Sequence, residues 1–69
     1  MRVSVNGEQR ELADGSTVAD VVGTAVGDVN GARGIAVAVD GEVVRRGHWP
    51  EVVVPDGAEV EILTAVQGG

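Results

Sequence analysis

Thr17-Val18-Ala19-Asp20-Val21-Val22-Gly23-Thr24-Ala25-Val26 decides the fold class, because its apolar positions recur at helical spacing while those around it alternate. Val18, Val21, Val22, Ala25 and Val26 fall at i, i+3, i+4, i+7 and i+8, one stripe about two turns long. Thr17 precedes Asp20 by three residues, a shortened capping box that predicts a helix starting at Val18. Gly23 weakens the helix, and Gly27 is the predicted stop.

The flanking segments read as strands. Val3 and Val5 point to one face, Asn6-Gly7 supplies the positive φ angles of a tight hairpin, and Glu8 to Leu12 returns as a polar strand. Ala13-Asp14-Gly15-Ser16 is a loop by composition. Asp28 to Gly34 reads as a second loop, with a frayed extension of the helix as its alternative. Ile35, Val37 and Val39 then alternate with Ala36 and Ala38, Asp40-Gly41 offers another hairpin turn, and Glu42-Val43-Val44 begins the return. Arg45 to Trp49 is less regular, and Pro50 cannot donate to a ladder, so a bend or short single turn is expected there. Val52-Val53-Val54 predicts a brief strand and Pro55-Asp56-Gly57 a turn. Glu59 to Val66 is the longest strand candidate, with Val60 and Ile62 on one face and Glu59, Glu61 and Leu63 on the other.

The resulting order of two strands, a helix and three strands predicts an α+β fold, a mixed sheet of four to five strands packed on one main helix. A β-grasp fits, over residues 1–66, with residues 67–69 as a flexible tail. Composition alone does not separate it from a ferredoxin-like half or a small open barrel. Sixteen of the thirty apolar residues are valine and Trp49 is the only aromatic, which again favours strands, where β-branched side chains pack well. The predicted core is Val3, Val5, Val18, Val21, Val22, Val37, Val39, Val60 and Ile62.

Composition also removes whole classes of function. Sixty-nine residues make one small domain. Without cysteine there is no disulfide framework, thiolate metal site or thiol nucleophile. Five arginines, no lysine and eleven carboxylates give a net charge of −6, which argues against a nucleic-acid partner, since phosphate neutralisation supplies most of that affinity. No stretch reads as a signal peptide or membrane span, so a soluble cytoplasmic domain with no membrane partner is expected. His48 is the one histidine and reads as a solvated loop residue. Glu59 and Glu61 share a strand face but lack a third metal ligand, so the expectation is no metal site and no catalytic residue. Trp49 reads as a satellite-core aromatic whose indole N–H needs a partner.

Gln67-Gly68-Gly69 is different. Two residues without Cβ can enter a channel too narrow for side chains, and they present the Gly69 carboxylate. A carboxylate is a poor electrophile and a poor nucleophile, so another protein must change it. Adenylation by ATP makes it an anhydride with AMP as leaving group, open to an amine, a thiol or a sulfur donor. A chain with neither lysine nor cysteine has no such side chain to intercept its own activated terminus. Leu63, with Ala36 and Ala38 on the neighbouring sheet surface and Glu59 and Glu61 as an acidic rim, is the predicted partner-binding surface near the root of this tail.

Val37-Ala38-Val39-Asp40-Gly41-Glu42-Val43-Val44, then Arg46, Trp49, Asp56-Gly57 and Gly68-Gly69, resemble in type and spacing the sulfur carrier proteins of thiamine-thiazole biosynthesis, the ubiquitin-like β-grasp proteins of the ThiS type. The resemblance spans the chain and is strongest from Ile35 onward. Arg45 stands where a proline is common, Ala58 where an aspartate often follows Asp56-Gly57, and Asp40 where asparagine is usual. The resemblance implies that an E1-like adenylating enzyme activates Gly69 with ATP, that sulfur from a persulfide donor replaces AMP, and that the thiocarboxylate supplies thiazole synthase. On that reading the chain is a co-substrate rather than an enzyme, binds no cofactor itself, and is a monomer when free. The small subunit of molybdopterin synthase, usually longer and more aromatic, shares the fold and the Gly-Gly end. A non-covalent β-grasp interaction module is the alternative of a different class.

Overall fold

The register of the sheet follows from its two tight turns. In the computed structural model, which describes residues 1–26 and 34–64, Asn6 and Gly7 have φ of 51° and 86°, and Asp40 and Gly41 have 51° and 84°. Two consecutive positive φ angles are what a two-residue type I′ hairpin requires. The first turn joins β1 (Arg2–Val5) to β2 (Glu8–Glu11), placing Val5 opposite Glu8 and Val3 opposite Arg10. The second joins β3 (Ile35–Val39) to β4 (Glu42–Val44), placing Val39 opposite Glu42 and Ala38 opposite Val43. Between the hairpins runs β5 (Glu59–Thr64), parallel to β1 and antiparallel to β3, in the order β2-β1-β5-β3-β4. With α1 (Val18–Val26) packed on it, this is the expected α+β architecture.

The helix starts where the cap predicts, and each of its first N–H groups is satisfied. Those groups have no partner within the helix itself. The Val18 and Ala19 N–H groups donate to Val52 O (2.9 Å) and Trp49 O (3.1 Å). The Asp20 N–H donates to Thr17 Oγ1 (3.2 Å), while the Thr17 N–H donates to Asp20 Oδ2 (2.9 Å), so the shortened box closes reciprocally. The Val21 N–H begins the regular ladder on Thr17 O. An aspartate is long enough for this role because its carboxylate needs to reach back only one turn.

Val52-Val53-Val54 is therefore not a strand of the sheet. It forms a single antiparallel bridge, Val53 with Thr17, flanked by Val18 N–H to Val52 O and Val54 N–H to Ser16 O. Pairing stops after one bridge because the chain on the other side turns into α1. Before it, residues Arg46–His48 make one 3₁₀ turn, the short turn expected ahead of Pro50.

All nine predicted core residues are buried, Val3 and Val5 from β1, Val18, Val21 and Val22 from α1, Val37 and Val39 from β3, and Val60 and Ile62 from β5. Trp49, Val54 and Ala58 join them. Trp49 belongs to the main core rather than a satellite of it. Its indole N–H donates to Val44 O at 2.9 Å, and the Arg46 guanidinium lies 5.5 Å from the ring centroid. Burying this ring replaces apolar volume that small valines cannot supply. Ala58 is buried beside the Asp56-Gly57 turn. Ala25 is exposed, so the helix stripe is narrower than predicted. Gly27 as the predicted stop, residues 28–33 of the predicted loop, the Val26 side chain and residues 65–69 lie outside the described set.

Candidate functional site

The centre of the sheet is β5, the strand whose continuation is Ala65-Val66-Gln67-Gly68-Gly69, and the turn residues of both hairpins hold it in place. At its start, the Asp40 N–H donates to Glu59 O (2.8 Å) and the Glu59 N–H donates to Asp40 Oδ1 (2.9 Å). The side chain thus takes the place of the backbone carbonyl that positive φ turns away. Only an acceptor is needed at this position, and the aspartate carboxylate supplies it.

At its far end β5 outlasts β1. The β1 ladder closes with Ser4 N–H to Ala58 O (3.0 Å) and Asn6 N–H to Val60 O (2.9 Å), after which the chain turns toward β2. The Asn6 side-chain amide then continues the ladder by itself. Its Oδ1 accepts from the Ile62 N–H (2.8 Å) and its Nδ2 donates to Ile62 O (3.1 Å). A third tie fixes the approach to β5, where Gly57 (φ 82°) donates to Arg2 O at 2.8 Å and the Arg2 N–H donates to Asp56 Oδ1 at 3.0 Å.

The face of β5 turned away from the helix carries Glu59, Glu61 and Leu63, all exposed. Leu63 is opposite Ala36 and Glu61 is opposite Ala38, so the five residues predicted for a docking surface share one face of two adjacent strands. One member was missed. Val43 is 73% exposed and stands opposite Ala38, extending the apolar strip from Leu63 onto β4. The Asp40-Gly41 turn held the signal, because a two-residue hairpin pairs Ala38 with Val43 and puts both on one face. Of the other candidates, Gln67, Gly68 and Gly69 lie outside the described residues.

His48 stands apart from this face. Its Nδ1 is 3.8 Å from Glu51 Oε2, with both side chains mostly in water, which fits a solvated loop residue. Among the described residues, no three His, Cys, Asp or Glu side chains gather as metal ligands. No helix among them is long and apolar enough to cross a membrane. The ion pairs Arg2–Glu11 (2.9 Å) and Arg10–Glu8 (3.4 Å) sit on the β1–β2 hairpin in solvent, where such pairs contribute little.

Among the described residues, a mixed five-stranded sheet carries one α-helix, and its central strand is followed in the sequence, within five residues, by the Gly68-Gly69 end, which together define a ubiquitin-like β-grasp protein. The profile of the ThiS family matches residues 3–69. Among solved structures, the crystal structure of the thiamine biosynthesis protein ThiS from Geobacter metallireducens is similar over all of both chains, with 30% sequence identity and a TM-score of 0.77. No curated protein sequence matches. The chain belongs to the ThiS family, the ubiquitin-like sulfur carriers of thiamine biosynthesis.

Proposed function

We propose that this carrier works through Gly69, whose α-carboxylate an E1-like enzyme adenylates with ATP, releasing pyrophosphate. A persulfide then attacks the acyl carbon and expels AMP. Cleavage of the resulting S–S bond by a second thiol, which is oxidised to a disulfide as it does so, frees the thiocarboxylate. Thiazole synthase receives that sulfur. The chain is a co-substrate in this cycle and binds no cofactor itself, ATP being held by the adenylating enzyme. A thiocarboxylate is largely ionised near neutral pH, and its sulfur is a far better nucleophile than carboxylate oxygen.

The observation that carries this reading is the position of β5. It is paired on both sides, braced at Glu59 and at Ile62 by a turn side chain, and ends at Thr64, five residues before Gly69 in the sequence. A partner enzyme holding the outer face therefore holds a rigid element only a few residues from the group to be activated. The strip Leu63, Ala36, Ala38 and Val43 supplies an apolar anchor, and Glu59 and Glu61 favour a basic rim on the partner. Residues 1–66 act as the display domain and 67–69 as the reacting tail, in a carrier that is monomeric when free.

ATP–pyrophosphate exchange by the adenylating enzyme tests the role of Gly69. Deleting Gly69 withdraws the reacting carbon by about 3.5 Å, whereas reaction demands placement to within about an ångström. Loss of exchange is the expected result for the deletion, and full exchange would remove Gly69 from the cycle.

A further inference from the structure

We infer that Asn6 is a positioning residue for the carboxyl-terminal tail, its side-chain amide standing in for a missing peptide group that holds the end of β5. The inference rests on the proposed activation of Gly69. In a parallel ladder, one residue accepts from the N–H two positions beyond its last contact, and the residue after next donates to the same partner's C=O. Here Ser4 and Asn6 supply the regular donors, to Ala58 O and Val60 O. Ile62 is next in that series, with its N–H and C=O turned toward β1. The chain has already left for β2 through the positive φ of Asn6, so no backbone group of β1 is there to meet it.

The Asn6 amide meets both groups, Oδ1 with the N–H at 2.8 Å and Nδ2 with the C=O at 3.1 Å. A primary amide presents one acceptor and a donor in the same geometry as a peptide. Aspartate lacks the donor, serine and glycine lack the pair, and glutamine is one methylene too long. Without these bonds the terminal part of β5 is held on the β3 side alone, through Leu63 opposite Ala36 and Thr64 opposite Ile35. Ile62 is seven positions before Gly69 in the sequence, so the hold of Asn6 on Ile62 fixes the strand from which the chain runs on to the reacting group. Asn6 does not belong to the apolar strip, although it shares a shallow cleft with Glu59 and Glu61 of the acidic rim, so its removal keeps the apolar anchor in place.

Asn6→Gly is the informative variant, because glycine accepts φ of 51° and removes the amide without straining the turn. Asn6→Asp retains the acceptor for the Ile62 N–H and loses the donor. Hydrogen exchange of the free chain comes first. The Ile62 amide should lose about tenfold protection in Asn6→Gly, while Val21 and Val37 amides in the core change little. Kinetics with the adenylating enzyme come second. Asn6→Gly should lower kcat for pyrophosphate exchange by about fivefold to tenfold with KM for the carrier within about twofold, and Asn6→Asp should fall between it and the parent. A general loss of stability would instead lower protection everywhere and leave kcat at saturating folded carrier unchanged. Parent-like protection at Ile62, or parent-like kcat in Asn6→Gly, overturns the inference. A parent chain that the enzyme fails to adenylate overturns the activation of Gly69 and, with it, any positioning role for Asn6, a result distinct from normal activation of the parent and Asn6→Gly alike.

Discussion

Replacing Leu63 with arginine separates docking from folding. Leu63 is 67% exposed in the free chain, so most of its surface is still available to be covered by a partner. Complete burial of a leucine gains about 1.5–3 kcal/mol, so covering the remaining two-thirds gains roughly 1–2 kcal/mol. Arginine forgoes that gain, opposes a partner surface chosen to meet Glu59 and Glu61, and must shed water to enter an apolar contact. The combined loss is about 2 kcal/mol, or roughly thirtyfold in Kd. Stability should change by no more than about 0.5 kcal/mol, because the side chain fills no core space. For a domain of this size that is a shift of about 2–4 °C in Tm. Calorimetric titration against the adenylating enzyme and against thiazole synthase, beside a thermal melt, measures both quantities. Unchanged affinity for both enzymes would refute the docking face, and a large drop in Tm would refute the placement of Leu63.

Three further substitutions probe the core and the tail. Val21→Ala and Ile62→Ala each empty a buried position and should lower stability by about 1–3 kcal/mol, a large share of what so small a domain possesses; denaturant midpoints equal to the parent's would show that the helix and β5 do not share one core. Gly68→Val should leave the melt unchanged and slow adenylation, because a β-branched side chain blocks a channel that admits only backbone; equal exchange rates would mean the partner's channel has room for side chains.

Much of this architecture was legible because local chemistry and long-range packing agree. Asn6-Gly7 and Asp40-Gly41 select one turn type, and that turn fixes which residues pair across each hairpin, while the apolar alternation sets the inward face. Thr17 and Asp20 mark the helix start by side chains that need only each other. Val52-Val53-Val54 misled because β propensity says nothing about what lies alongside; the available neighbour was Thr17, one residue before the helix. The stretch around Trp49 lacks periodicity and points only to a satellite, whereas in the fold the ring is buried in the main core with its indole N–H on Val44 O. The second roles of Asn6 and Asp40 were invisible for a similar reason. Each is a good turn residue, and only the arrival of β5 more than fifteen residues later in the chain gives its side chain a partner.

The central claim is that Gly69 carries the sulfur. Intact mass of the chain after incubation with the adenylating enzyme, ATP and a persulfide donor tests it most directly, with fragmentation to locate the change. The account predicts a gain equal to one sulfur in place of one oxygen, confined to Gly69, and no change in a chain extended by one residue beyond it. An unaltered mass with an enzyme that activates another carrier of the family, or conversion of the extended chain without trimming back to Gly69, would contradict it.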